Sequence, residues 1–169
     1  MKKKCYLIKI KEMQLFVQGE KEKWLKKIIR IFNKAKESSK LSDFNKIHIG
    51  CIAVYKNNII AKGYNTNKTN PLQKLYNHYR KLEWVNGVQP NPKLHAEMMC
   101  ILKIMHLDID FSKVKIYVYR QDLKGNLAMC RPCKACMKAI KDLGIKNIYY
   151  TTNDGYSHEV VSWLIMIMI

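Results

Sequence analysis

The chain has 169 residues, with 31 Lys and Arg against 13 Asp and Glu and a formal net charge of +18. That length suits one domain with a substantial core. No run approaches the ~20 apolar residues of a membrane-spanning helix, which argues against a membrane function. The whole of 1–169 is read as a single domain, with a basic N-terminal extension and helix over 1–46 and a core over 47–152. The charge is uneven: 14 basic and 5 acidic residues in 1–46, 7 and 1 in 47–94, and 10 and 7 in 95–169. Such a field attracts a nucleotide or a nucleic-acid strand. However, 27 of the basic residues are Lys and 4 are Arg, in a chain rich in Asn, Ile and Tyr. A coding sequence rich in A and T yields that composition too, and a phosphate-reading surface favours the guanidinium fork. Six Cys stand at positions 5, 51, 100, 130, 133 and 136. Lys9, Lys11 and Glu12 interrupt any secretory apolar segment. Metal-bound or buried thiols in a reducing, cytoplasmic compartment are therefore expected.

In chain order, Cys5 to Ile10 reads as a strand or an early helical turn. Residues 20–37 predict an amphipathic helix, with Trp24, Leu25, Ile28, Ile29, Phe32 and Ala35 at three- and four-residue steps. From Ile47 the period changes. Ile49 to Tyr55 predicts a strand, Asn57-Asn58 a tight turn, and Ile59 to Tyr64 the hairpin partner. A long polar connection follows, with a helical stretch from Leu72 to Trp84 and breakers at Asn86-Gly87, Pro90 and Pro92. A connection of that length suggests a lid or binding loop, in which Tyr76, Tyr79 and Trp84 could stack on a base. Residues 95–106 predict a helix with Ile101, Leu102 and Met105 buried. Val114 to Tyr119 predicts a strand and Arg120 to Arg131 a loop. Pro132 opens a helix that runs to about Leu143 and stops at Gly144. Ile148 to Thr151 predicts a further strand, ended by Asn153-Asp154-Gly155. The closing Trp163 to Ile169 is read as packing on the core or on a second copy in a homo-oligomer. This alternation predicts an α/β fold, a mixed sheet made of a hairpin followed by crossover units.

The chemistry concentrates between His95-Ala96-Glu97 and Pro132-Cys133-Lys134-Ala135-Cys136. Cys133 and Cys136 are three apart, so on a helix they share a face. At a helix start they also meet the positive end of its dipole, which favours the thiolates that bind metal. With His95 they offer three ligands for Zn²⁺, and a catalytic zinc keeps its fourth position open. Water in that position is acidified, and Glu97 is placed to act as its base. The same residues also admit a redox Cys pair, an iron–sulfur site through Cys130, or a four-ligand structural zinc of Cys130, Cys133, Cys136 and His95. A non-catalytic zinc-stabilised nucleic-acid-binding module would use the zinc and the basic face without Glu97.

With these motifs in place, residues 47–152 resemble the cytidine and deoxycytidylate deaminase superfamily. The resemblance implies a three-layer α/β/α sandwich around a mixed sheet of about five strands. It implies a zinc-dependent hydrolase with His95, Cys133 and Cys136 holding Zn²⁺ and Glu97 shuttling protons. Gly63-Tyr64-Asn65 is similar to the family's Gly-x-Asn segment, which implies that Asn65 contacts the substrate's sugar. The implied reaction is hydrolytic deamination of cytosine to uracil in a nucleoside or nucleotide. The alternative substrate is a cytosine or adenine in single-stranded DNA or RNA. Two departures from compact members border the pocket: the long stretch from Asn65 to His95, and the 34 residues between Glu97 and Pro132. His78, in the first of these, is a candidate for binding substrate or a second metal, although a surface role is the commoner one.

Overall fold

A computed structural model describes residues 6–8, 18–83 and 92–161. Trp84, the breakers at 86–90 and the apolar 163–169 stretch fall outside these residues. The elements are β1 (Tyr6–Ile8), α1 (Gln18–Ser39), β2 (Ile49–Tyr55), β3 (Asn58–Tyr64), α2 (Pro71–Asn77), α3 (Ala96–Ile104), β4 (Lys115–Arg120), α4 (Lys134–Asp142), β5 (Asn147–Thr152) and β6 (Gly155–Val160). A 3₁₀ stretch (His78–Glu83) extends α2, and a second one (Phe111–Lys113) precedes β4.

The strands form one mixed sheet in the order β1-β6-β5-β4-β2-β3. All neighbours are antiparallel except β4 and β5, which are parallel and joined through α4. The expected three-layer sandwich is therefore present. Its sheet has six strands where about five were expected, and the short β1 forms one edge. β2 is buried throughout its middle because both of its faces are covered. Ile52 and Val54 meet α1 through Ile28, Ile31, Phe32 and Ala35. Cys51 and Ala53 meet the layer formed by Ala96, Met98, Cys100, Ile101, Ala139 and Ile140 of α3 and α4. A strand covered on both sides reads as an almost unbroken apolar run.

Helix α1 approaches β2 so closely that only Gly fits at position 50. A Cβ there would lie 1.8 Å from the Ala35 carbonyl oxygen and 2.7 Å from the Ser39 nitrogen. Both are backbone atoms, so no side-chain rotation relieves the clash. Gly50→Ala is expected to destabilise the fold by about 3 kcal/mol or more, at the upper end of overpacking costs. The urea-unfolding midpoint would measure this, and a loss below about 1 kcal/mol would mean that α1 shifts freely on the sheet.

Several boundaries differ from those predicted. The hairpin turn is Lys56-Asn57, not Asn57-Asn58. Both residues have positive φ, 45° and 71°, as a two-residue turn between twisted strands requires. Helix α3 is shorter than 95–106, with His95 as its N-cap. Helix α4 starts at Lys134 with Cys133 as N-cap, so Pro132 lies just outside it rather than in its first turn. Gly144 does stop it, with φ of 86°.

The sequence reading did not predict β6. Its His158 stacks on Tyr149 at 4.2 Å, and Tyr149 stacks on Tyr117 at 4.5 Å. The His158 ring also lies 3.0 Å from Asn147 Oδ1. Burial, with Lys115 nearby, holds the His158 pKa below its ordinary 6.5. Below about that pH the unfolded chain takes up a proton that the folded chain resists, so stability falls as pH drops from 6.5 towards the folded value. His158→Phe keeps a stacking ring and is expected to flatten the decline in unfolding midpoint between about pH 7 and pH 5. An unchanged acid limb in that variant would show that the ring does not titrate in this window.

Candidate active site

The site forms where α3 and α4 begin, on one face of the sheet. The residues leading into α3 are fixed by pairing with the segment after β3. Thr66 N–H donates to the Leu94 carbonyl at 3.0 Å, and Leu94 N–H to the Lys68 carbonyl at 2.9 Å. The residues leading into α4 are fixed by β5. Cys130 N–H donates to the Thr151 carbonyl at 2.9 Å, and Thr151 Oγ1 donates to the Ala128 carbonyl at 2.7 Å. His95 and Cys133 are both N-caps, and neither side chain caps its own helix.

Instead these side chains meet each other. Cys133 Sγ lies 3.5 Å and Cys136 Sγ 3.4 Å from His95 Nδ1. The three potential ligand atoms all lie within 4.8 Å of one another. Zn–S and Zn–N bonds of about 2.3 and 2.0 Å at a tetrahedral angle give an S···N edge of about 3.5 Å. The observed edges match that, so the three residues fit a zinc ion through Nδ1 and two sulfurs. Cys130 and His78 stand outside this group. Cys130 is buried and its thiol is pushed well above its ordinary pKa, first by burial. The His78 ring lies against Tyr79 at 3.8 Å, with Nδ1 2.5 Å from the Leu75 carbonyl oxygen.

The electrostatics suit a cation. A hydrogen bond from Cys136, against the cost of burial and with His95 adding, lowers the Cys133 pKa to about 4. The bond to Cys133 and burial raise that of Cys136. Burial opposes charge on His95, yet the Cys133 bond and the Glu97 carboxylate hold its pKa above the ordinary value. Glu97, in the first turn of α3, is 5% exposed. Burial raises its pKa, His95 opposes this, and Cys133 adds to it. A carboxyl held towards neutrality beside a cation site can both take and return a proton.

Asn65 is 5% exposed at the end of β3. Its Oδ1 accepts from Ile49 N–H and its Nδ2 donates to the Ile47 carbonyl, both at 2.7 Å. Each end of the amide retains one further hydrogen-bonding position. Three more residues shape the site without having been singled out in the sequence. Asp43 accepts from Thr66 Oγ1 at 2.9 Å and Asn67 N–H at 2.7 Å, tying the segment after α1 to the one after β3. Gln73 is fully buried in α2, and its Oε1 accepts the N–H of His95 at 3.1 Å while its Nε2 donates to Asn77 Oδ1 at 2.8 Å. Arg120 ends β4 on the sheet face that α3 and α4 cover. Such partners meet only in the fold, Asp43 and Thr66 across 23 residues and Gln73 and His95 across 22, so local sequence spacing does not show them. The connection expected to be a lid is thus partly a brace behind His95.

A sandwich of this topology, with His, Cys, Cys and a buried Glu at two helix starts, defines a zinc-dependent hydrolytic deaminase. The chain belongs to the cytidine and deoxycytidylate deaminase family, whose zinc-binding region matches residues 22–152. No curated protein matches the sequence. Among solved structures, the fold is similar to the dCMP deaminase of cyanophage S-TIM5. The apo form is 21% identical with a TM-score of 0.50, covering 73% of this chain and 80% of that one. The form in complex with dCMP and dUMP is 20% identical with a TM-score of 0.50, covering 80% and 83%. The cofactor of this family is zinc, and His95 with the two Cys is the group among the described residues positioned to bind it. Among the described residues no helix is long and apolar enough to cross a membrane.

Proposed function

We propose that this chain, acting over 1–169 as one domain with a catalytic core at 47–152, deaminates cytosine to uracil in a cytidine- or deoxycytidylate-type nucleoside or nucleotide. The observation that supports this most is the buried Glu97 carboxyl beside the His95–Cys133–Cys136 group, in a chain of this family. Zinc held by those three residues would supply Lewis acidity that makes water a nucleophile near neutral pH. Glu97 carries two protons in turn: one from the attacking water to the ring nitrogen, and the second from the resulting C4 hydroxyl to the leaving amine. Water is consumed, the C4–N bond breaks, and ammonia leaves. Burial of Glu97 raises its proton affinity above that of an ordinary carboxylate, the direction an acid–base carrier needs. Asn65 is assigned to the substrate sugar through its remaining amide positions, while its present bonds keep residues 47–49 in place.

A nucleotide fits the surroundings. Lys93, two residues before His95, lies with Phe44, Asn45, Lys46, Ile47 and Asn67 around a cavity of about 350 Å³. Along an extended segment, residues two apart share a side. Lys93 and His95 therefore face one way, and Lys93 Nζ donates to Asn67 Oδ1 at 2.7 Å. The S-TIM5 relative is recorded with dCMP and dUMP, which favours a nucleotide here too.

The test is deamination by purified zinc-loaded protein on cytidine, deoxycytidine, dCMP, single-stranded DNA, single-stranded RNA and an adenine-bearing RNA hairpin, at low and moderate salt. Turnover of free nucleoside or nucleotide is the expected result. Turnover of strands alone, weakening with salt, would replace this reading with a nucleic-acid editor. No turnover on the whole panel, with zinc bound, would remove the cytosine reading.

A further inference from the structure

We infer that Arg120 binds the anionic phosphate of the substrate; this rests on the nucleotide reading above. The side chain belongs to the site face. Val114, Ile116 and Val118 pack into the core beneath α3 and α4, whereas Tyr117 and Tyr119 pack beneath α1. The period of two then sends Arg120 to the α3–α4 side. It stands at the C-terminal end of β4, opposite Ile49, whose N–H is held by Asn65. Arg120 N–H and Cys130 N–H both donate to Thr151, so this strand end lies beside the segment that leads into the Cys motif.

The backbone at this position is fully committed. Arg120 N–H donates to Thr151 Oγ1 at 3.1 Å, and its carbonyl accepts from Ala128 N–H at 3.1 Å. The side chain is the opposite case. Nε of Arg120 is buried with no hydrogen-bond partner among the described residues. Buried donors are paired in the great majority of cases, and an exception calls for a ligand or water. By contrast Arg131, next to the Cys motif, is held by Glu159 through two bonds of 2.7 and 2.8 Å. A guanidinium on a fixed strand end, with Nε available and no acid paired to it among the described residues, matches a phosphate in a two-pronged contact. In a chain with 27 Lys and 4 Arg, a Lys there would be the compositional default, and it would lack that fork.

The test uses full-length zinc-loaded protein with Arg120→Met, which keeps an apolar stem, and Arg120→Lys, which keeps charge without the fork. Steady-state kinetics on dCMP and deoxycytidine are read beside calorimetric binding of dUMP and deoxyuridine. Arg120→Met is expected to raise KM for dCMP and Kd for dUMP by about 10- to 100-fold, the range for a lost hydrogen bond to a charged group. Values for the nucleosides and kcat should stay within about threefold, and Arg120→Lys should recover part of the nucleotide affinity. Equal losses for nucleotide and nucleoside would overturn the assignment, as would dUMP binding unchanged in Arg120→Met or absent in the unsubstituted protein. Failure to turn over free nucleotides, with dUMP binding still lost in Arg120→Met, would instead overturn the proposed reaction and leave the phosphate contact standing.

Discussion

Replacing Glu97 by glutamine is expected to lower turnover by about 10³-fold while one zinc per chain is still retained. The substitution keeps the size and one hydrogen-bonding oxygen of a side chain that is 5% exposed, so packing at the start of α3 is preserved. It removes the group that both accepts and returns a proton. It also removes a carboxyl whose ionised form is disfavoured by burial, so unfolding midpoints should be unchanged or slightly higher. Metal content and activity must be read together. Loss of zinc in the variant would place Glu97 among the residues that hold the ion. More than a tenth of the original activity, with zinc retained, would sink its role as proton carrier.

Stripping zinc with a chelator is expected to abolish turnover and leave the fold in place. The argument is one of location. The three ligands sit at the entries to two helices, whereas the sheet is packed on both faces by apolar clusters that involve none of their side chains. In small zinc modules the metal replaces a core, and its removal unfolds the chain. Here the metal acts as a ligand of a structure already formed. With free zinc at a thousand times Kd the linkage is about 4 kcal/mol, which for a chain of this size is a fall of about 8–16 °C in Tm. Far-UV circular dichroism at 25 °C should be retained after chelation. Cys136→Ala should likewise fold but lose zinc on dialysis. Cooperative loss of secondary structure on chelation would show that the ion is part of the folding core.

The chemistry of the site was legible because it is carried by residue types with few other uses at that spacing. His95, Glu97, Cys133 and Cys136 could be named before any fold was known, and the structure brings the His and both thiols together. The strands β2 and β4 were legible because they are buried on both faces and so are apolar along their length. β6 was not, because its buried positions are Gly155 and Ser157 and its His158 is held by stacking. No apolar alternation survives in such a strand. The hairpin turn was misplaced by one residue because Asn57-Asn58 has the better local chemistry, while the pairing of Tyr55 with Asn58 leaves Lys56 and Asn57 as the two turn residues. The Arg120 to Arg131 stretch read as an irregular loop. It is in part a small turn pinned by Asp122, which accepts from Lys124 and Asn126 N–H at 2.9 and 2.8 Å, while Gln121 pairs with Leu127. The Gln73–His95 contact joins residues 22 apart through a buried amide, and no local pattern encodes it.

Gly63 joins the two layers at a single residue. A Cβ there would lie 2.2 Å from the Ala96 carbonyl oxygen on the α3 side, while its own carbonyl accepts Ser38 Oγ from α1 at 2.7 Å. Ala96 directly precedes Glu97, so any side chain at 63 pushes on the turn that aims the proton carrier. In a library of all single substitutions selected for activity, position 63 should be as intolerant as position 97, though it contributes no chemistry. Position 97 would lose function with its fold intact, and position 63 would lose the two together. Adaptation to a new substrate would then have to run through the segments bordering the pocket, because variation at this contact is filtered out before any substrate is met.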